Sequence, residues 1–148
     1  MYHDRLKQLI VLDTGKNIAP QPIEDEFALS ERIHQAMVVG DDRKFIAALF
    51  VPDFEAVRAW ARAEGIDLPD DREALCRDSR VVEFIQADVE AVNDTLPKSE
   101  RVREFRLVPE EWTPDNDLMT PSMKVKRRAV VDRFEDQLRD IYGEDYGE

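Results

Sequence analysis

Four cations fall within five residues in Lys124-Val125-Lys126-Arg127-Arg128, directly behind the loop-like Thr120-Pro121-Ser122. The chain around them holds 33 Asp and Glu against 21 Lys and Arg, so a basic cluster here calls for a specific anionic counterpart. A lysine ammonium is a compact point charge on a flexible stem, suited to oxygens that gain negative charge during a displacement next to phosphorus. A loop containing Pro121 can deliver that charge and later withdraw it. Lys124, nearest the loop, is the candidate. Lys126, Arg127 and Arg128 read as solvated, structural or phosphate-side. The plain alternative for Lys124 is a surface lysine at a helix start.

Other chemistry-bearing residue types give weaker patterns. His34 stands at the edge of an apolar run, and His3 is far from it, so no metal-ligand spacing arises. Cys76 is the one cysteine, which excludes an internal disulfide and a cysteine-based zinc site and fits a reducing compartment. Trp60 and Trp112 read as packing anchors. The pairs Asp41/Asp42 and Asp70/Asp71 read as turn residues. No metal site is expected.

These residues need elements to position them. Leu9-Ile10-Val11-Leu12 is a short apolar run followed by Asp13-Thr14-Gly15-Lys16-Asn17 and Ile18-Ala19. Gly15 and Asn17 tolerate positive φ, so a hairpin is predicted. Pro20 and Pro22 stop the second strand. Pro22 suits the first turn of a helix that runs to about Ser30, with Glu24, Asp25 and Glu26 near its positive end. Residues 33–40 and 45–51 predict an antiparallel pair joined by four or five residues. Phe54, Val57, Trp60 and Ala61 recur at helical spacing behind Pro52-Asp53, and Gly65 ends that helix.

A short helix is predicted at 72–77. A longer one is capped by Ser79, with Val81, Val82, Ile85, Val89 and Val92 inward. Phe105-Arg106-Leu107-Val108 predicts a strand and 110–118 a loop docked by Trp112. A last helix is predicted over 125–142, with Val130, Phe134, Leu138 and Ile141 as its stripe. Hairpins mixed with helices, without strict alternation, give an α+β class: a small mixed or antiparallel sheet with an N-terminal hairpin, flanked by helices.

At 148 residues this is expected to be one domain, 1–148, able to bury roughly two-thirds of its unfolded surface. Residues 143–148 form an acidic tail. The net charge of -12 argues against nucleic-acid or anionic-membrane binding. No apolar run approaches the ~20 residues of a membrane span, and no secretory signal opens the chain. Met1-Tyr2-His3 leads at once into charged residues with no room for a nucleotide-binding fold. The chain is therefore expected to be a fragment of a longer protein.

Several motifs, taken in order, resemble the C-terminal domain of the adenylate-forming superfamily, and within it long-chain fatty acid-CoA ligases. They are Asp4-Arg5-Leu6-Lys7-Gln8-Leu9-Ile10-Val11, Thr14-Gly15-Lys16-Asn17-Ile18-Ala19-Pro20 with Pro22-Ile23-Glu24, and Gln35-Ala36-Met37-Val38-Val39-Gly40. Ala47-Ala48-Leu49-Phe50-Val51-Pro52, Val92-Asn93, Glu100-Arg101-Val102-Arg103-Glu104-Phe105 and Leu118-Met119-Thr120-Pro121-Ser122-Met123-Lys124 continue the series. Each is weak alone; the order carries the signal, up to about Tyr142.

The resemblance implies an enzyme that uses ATP to turn a fatty acid into an acyl-adenylate and then passes the acyl group to coenzyme A. Its small C-terminal domain would swing between two poses. By resemblance, Lys124 is the adenylation lysine, and residues 4–9 are a linker whose hinge is Asp4 or Lys7. Gly15, Lys16 and Asn17 would line the pantetheine path of CoA. ATP and Mg2+ would be bound mainly by an N-terminal adenylation domain of the same polypeptide, whose phosphate loop, acid pocket and ribose-holding aspartate are not in this chain. The chain alone is expected to be inactive. A cytoplasmic setting is expected, with no nucleic-acid partner and no transmembrane segment; peripheral membrane association of the parent stays open. Two alternatives remain open: another carboxylate-activating acyl-AMP ligase, and a free-standing, non-catalytic acidic interaction domain.

Overall fold

A computed structural model describes residues 9–143, in two compact units: a first that ends at Pro109 and a second that begins at Glu110. The described residues form five strands and six α-helices, in the α+β class expected.

The first unit is organised by β3 (Ile33–Val39), β4 (Ile46–Pro52) and β5 (Val102–Leu107), in the order β3-β4-β5. Every residue of β4 is buried, as a continuous apolar run must be when it forms a central strand covered on both faces. β3 runs antiparallel to it, pairing Val39 with Ala47 and Ile33 with Pro52, with a register shift between Ile33 and Gln35. β5 runs parallel, pairing Phe105 with Ala48. The sheet is thus mixed. A parallel neighbour requires a long crossover, and residues 53–101 supply it through α2 (Phe54–Glu64), α3 (Arg72–Arg77) and α4 (Ser79–Asn93). Phe50 anchors the core, with its ring 5.0 Å from Phe27 and 5.5 Å from Phe105. Trp60 of α2 stacks on Phe84 of α4 at 4.4 Å.

α2 begins and ends where the sequence indicates. The Asp53 carboxylate accepts the Ala56 N–H at 3.0 Å, and Gly65 takes φ 68° at the C-cap.

Elsewhere the boundaries shift for identifiable reasons. α1 (Pro20–Ala28) starts at Pro20, so both prolines sit in its first turn. Glu24 does not serve the positive end of the helix. It is buried and accepts the Val38 N–H at 2.8 Å, covering an amide of edge strand β3. The β3–β4 loop is longer than expected, at residues 40–45. Asp78, not Ser79, caps α4: its carboxylate accepts the Arg80 N–H at 2.9 Å. Of the expected inner face, Val81, Ile85 and Val89 are buried, whereas Val82 and Val92 are half-buried. β5 starts at Val102, three residues early, because the Asn93 side chain clamps that residue. Asn93 donates to the Val102 carbonyl and accepts its N–H, both at 2.9 Å.

The Asp78 cap makes a pH-dependent contribution. Hydrogen bonding from the Arg80 side chain pulls its carboxyl from 3.8 down to about 2. A depressed acid stabilises the fold above its unfolded value and loses that effect as pH falls through the folded one. Asp78→Ala is expected to cost about 1 kcal/mol near neutral pH. Urea unfolding of variant and parent should converge as the pH is lowered from 3.8 towards 2. A constant gap over that range would show that the carboxylate charge contributes nothing.

In the second unit, residues 110–126 form a loop and hairpin, followed by α5 (Arg127–Arg133) and α6 (Glu135–Tyr142). The single helix expected over 125–142 is not what forms. Val125 bridges to Met119, and Lys126 donates its N–H to the Leu118 carbonyl at 2.9 Å, so both residues belong to the hairpin. Phe134, at φ -113° and ψ 32°, separates the two helices. Val130, Phe134 and Leu138 are nevertheless buried at helical spacing across the break, which makes the interruption invisible to periodicity. Trp112 is buried as expected. Its loop is held by an exchange between Thr113 and Asn116, with bonds of 3.0 and 3.2 Å.

Candidate functional site

Lys124 lies on the second unit's hairpin. The Met119–Val125 bridge closes the base, and the Thr120 N–H donates to the Lys124 carbonyl at 2.8 Å. The Met123 N–H returns to the Thr120 carbonyl at 2.8 Å, making a tight turn with Pro121 in its first central position. The Thr120 hydroxyl accepts the Lys124 N–H at 3.1 Å and lies 3.0 Å from the Ser122 hydroxyl. Met123 takes a left-handed φ of 68° and is 61% exposed. A non-glycine residue in that region is uncommon, and such strain persists where surrounding bonds over-determine it. The hairpin therefore presents Lys124 from a braced turn. Its side chain is exposed, and among the described residues its ammonium has no ion-pair partner.

Its neighbour differs. The Lys126 ammonium meets the Asp117 carboxylate at 2.6 Å, and that hydrogen bond holds the Asp117 carboxyl below its ordinary value. The two lysines thus differ: Lys124 is presented to solvent, and Lys126 closes the loop. Asp117 did not stand out in the sequence, and Thr120 stood out as part of the loop but not as its brace. The spacing from Asp117 to Lys126 is not that of one helix face, and only the hairpin brings them together.

In the first unit, β1 (Ile10–Val11) and β2 (Asn17–Ile18) pair antiparallel, Ile10 with Ile18 and Val11 with Asn17. Gly15, at φ 89°, forms the turn, its N–H donating to the Leu12 carbonyl at 2.9 Å. Gly15, Lys16 and Asn17 are exposed, and a Cβ built on Gly15 would meet nothing within 4 Å. Gly15 and Lys16 lie at the turn and Asn17 opens β2, so the three share one end of the hairpin; Lys124 belongs to the other unit. Asp4 and Lys7 lie outside the described residues.

The residues read as structural keep that character. Cys76 is buried, and burial pushes its thiol up to about 12, so it is a protonated packing group at neutral pH. His34 is exposed on β3. Asp41 does more than turn the chain: its carboxylate accepts the Val11 N–H at 2.9 Å. No group of three or more His, Cys, Asp or Glu among the described residues is gathered for a metal ion.

Residues 7–145 match the family described as the AMP-binding enzyme C-terminal domain. The chain belongs to that family.

Relatives of this AMP-binding C-terminal domain include the long-chain-fatty-acid–CoA ligase FadD15 of Mycobacterium tuberculosis, 36% identical over 95% of this chain and 24% of that protein. Long-chain-fatty-acid–CoA ligase 1 of Cavia porcellus is 36% identical over 94% of this chain and 20% of its own length. The domain thus spans about a quarter or less of these relatives. Its fold resembles the adenylation domain of a carboxylate reductase from Mycobacterium chelonae, with a TM-score of 0.73 and 23% identity, over 93% of this chain and 20% of that one. The corresponding domain from Segniliparus rugosus, solved with AMP and a co-purified carboxylic acid, gives 0.71 and 22% over 93% and 20%.

Proposed function

We propose that this domain is the mobile lid of an AMP-forming long-chain fatty acid-CoA ligase. The observation that carries the proposal is the exposed ammonium of Lys124 on a braced hairpin, in a domain whose relatives at 36% identity are such ligases. In the first half-reaction a fatty-acid carboxylate oxygen attacks the α-phosphorus of ATP and pyrophosphate leaves. Lys124 sets its charge against the carboxylate and α-phosphate oxygens as they exchange charge. In the second, the CoA thiol attacks the acyl carbon, AMP leaves, and the thiol proton goes to solvent or a base. The Gly15-Lys16-Asn17 turn then flanks the pantetheine arm, where a glycine leaves room for a narrow chain.

Asp4 or Lys7 is the hinge between the two poses. An N-terminal adenylation domain of the same polypeptide holds ATP and Mg2+. The cytoplasm suits a chain with one thiol, buried and protonated.

ATP–pyrophosphate exchange with palmitate tests the reading. The 148-residue chain alone should give no exchange. Joined to the N-terminal portion of FadD15, it should raise that portion's exchange well above the portion's own rate. Exchange by the chain alone, or no gain on joining it, would overturn the lid role.

A further inference from the structure

Residues 11–13 are held along both edges of their backbone. On one edge they face their own return strand: the Leu12 N–H donates to the Lys16 carbonyl and the Gly15 N–H to the Leu12 carbonyl, both at 2.9 Å. On the other they face the β3–β4 loop. The Val11 N–H donates to the Asp41 carboxylate, the Asp42 N–H to the Val11 carbonyl and the Asp13 N–H to the Arg43 carbonyl, each at 2.9 Å. The loop can approach this closely because Gly40 has no side chain. A Cβ there would lie 3.0 Å from Ile46 Cδ1 and 3.3 Å from both Ile10 Cγ2 and Leu12 Cδ2. The Gly15 tip, by contrast, stands in open space. Its location is therefore set by these bonds and by the buried Ile10, Leu12 and Ile18 behind it.

We propose that Asp41 is a positioning residue for thioester formation: its carboxylate, with the Asp42 and Arg43 backbone, clasps the β1–β2 hairpin and fixes where the Gly15 turn meets the pantetheine arm of CoA. This rests on the hairpin role proposed above. The Asp41 carboxylate is the one member of the clasp that a side-chain substitution removes without touching the hairpin. Asparagine keeps a carbonyl oxygen in the same place, so it should preserve the bond.

Two measurements separate the clasp from the role of the hairpin. In the chain itself, Asp41→Ala should speed amide hydrogen exchange at Val11 roughly threefold to tenfold, leave the amides of β4 unchanged, and be rescued by Asp41→Asn. In the chain joined to the N-terminal portion of FadD15, Asp41→Ala should raise KM for CoA by a similar roughly threefold to tenfold factor and leave ATP–pyrophosphate exchange unaltered. Unchanged exchange at Val11 overturns the clasp, whatever the hairpin does. Faster exchange at Val11 with an unaltered KM for CoA removes the hairpin from CoA handling, and the positioning role with it. Equal loss in both half-reactions would make Asp41 a support of the domain as a whole and overturn the proposal.

Discussion

Replacing Lys124 by alanine in the assembled ligase is expected to slow acyl-adenylate formation by about 10²–10³. CoA transfer from preformed acyl-adenylate should proceed near the parent rate. The asymmetry follows from where charge changes: one step redistributes it over phosphate and carboxylate oxygens, the other passes an already activated acyl group to sulfur. The hairpin supports the variant structurally, because the Lys124 contacts that hold it are backbone ones, to the Thr120 hydroxyl and the Thr120 N–H. An alanine keeps both, so the loss should be chemical and not a collapsed loop. Lys124→Arg should rescue only in part, since a planar guanidinium does not replace a compact ammonium. Single-turnover assays of the two half-reactions decide the matter. A comparable loss in both would remove Lys124 from the adenylation step.

Phe50→Ala should have the largest effect on stability. Phe50 is fully buried on the central strand between the rings of Phe27 and Phe105. Truncating such a residue costs about 3–5 kcal/mol through lost transfer energy and the cavity left behind. That is a large share of the ~5–15 kcal/mol available to a domain. The melting temperature should fall by roughly 10 °C or more. Phe50→Leu, which retains most of the volume, should lose less than half as much. Urea unfolding of the three proteins tests this, and a Phe50→Ala loss below about 1 kcal/mol would show that the aromatic cluster is not the keystone.

What could be read in the sequence was what short-range patterns specify. Asp53 and Gly65 bracket α2 by their own chemistry, a carboxylate cap and a left-handed glycine, and both act as read. The bounds of α3, Arg72–Arg77, follow from local signals as well. The all-apolar run of β4 announces a covered central strand, but not that its second neighbour is parallel. That partner lies about fifty residues away along the chain, and no local pattern encodes it. Likewise, Lys124 could be singled out by its position behind Thr120-Pro121-Ser122, whereas the Thr120 brace and the Asp117–Lys126 pair needed the closed hairpin. Asp41 was read as a turn residue because its partner, the Val11 N–H, is thirty positions away. Glu24 was assigned to the end of a helix for the same reason: its Val38 amide is a tertiary partner.

The placement of β4 also bears on how the chain comes together after synthesis. Ile46–Pro52 carries no charge, and its Ile46, Phe50 and Val51 favour extended structure. It stays uncovered on one edge until residues 53–101 have folded and brought β5 alongside. Such delayed pairing is slow, because loop closure precedes the contacts that reward it, and an apolar strand waiting in the open is a template for other copies. Arg43 and Lys44 before it and Asp53 after it are the flanking charges that discourage this. A preparation cut short before Val102 would leave the strand with one empty edge and yield aggregate in place of a smaller domain.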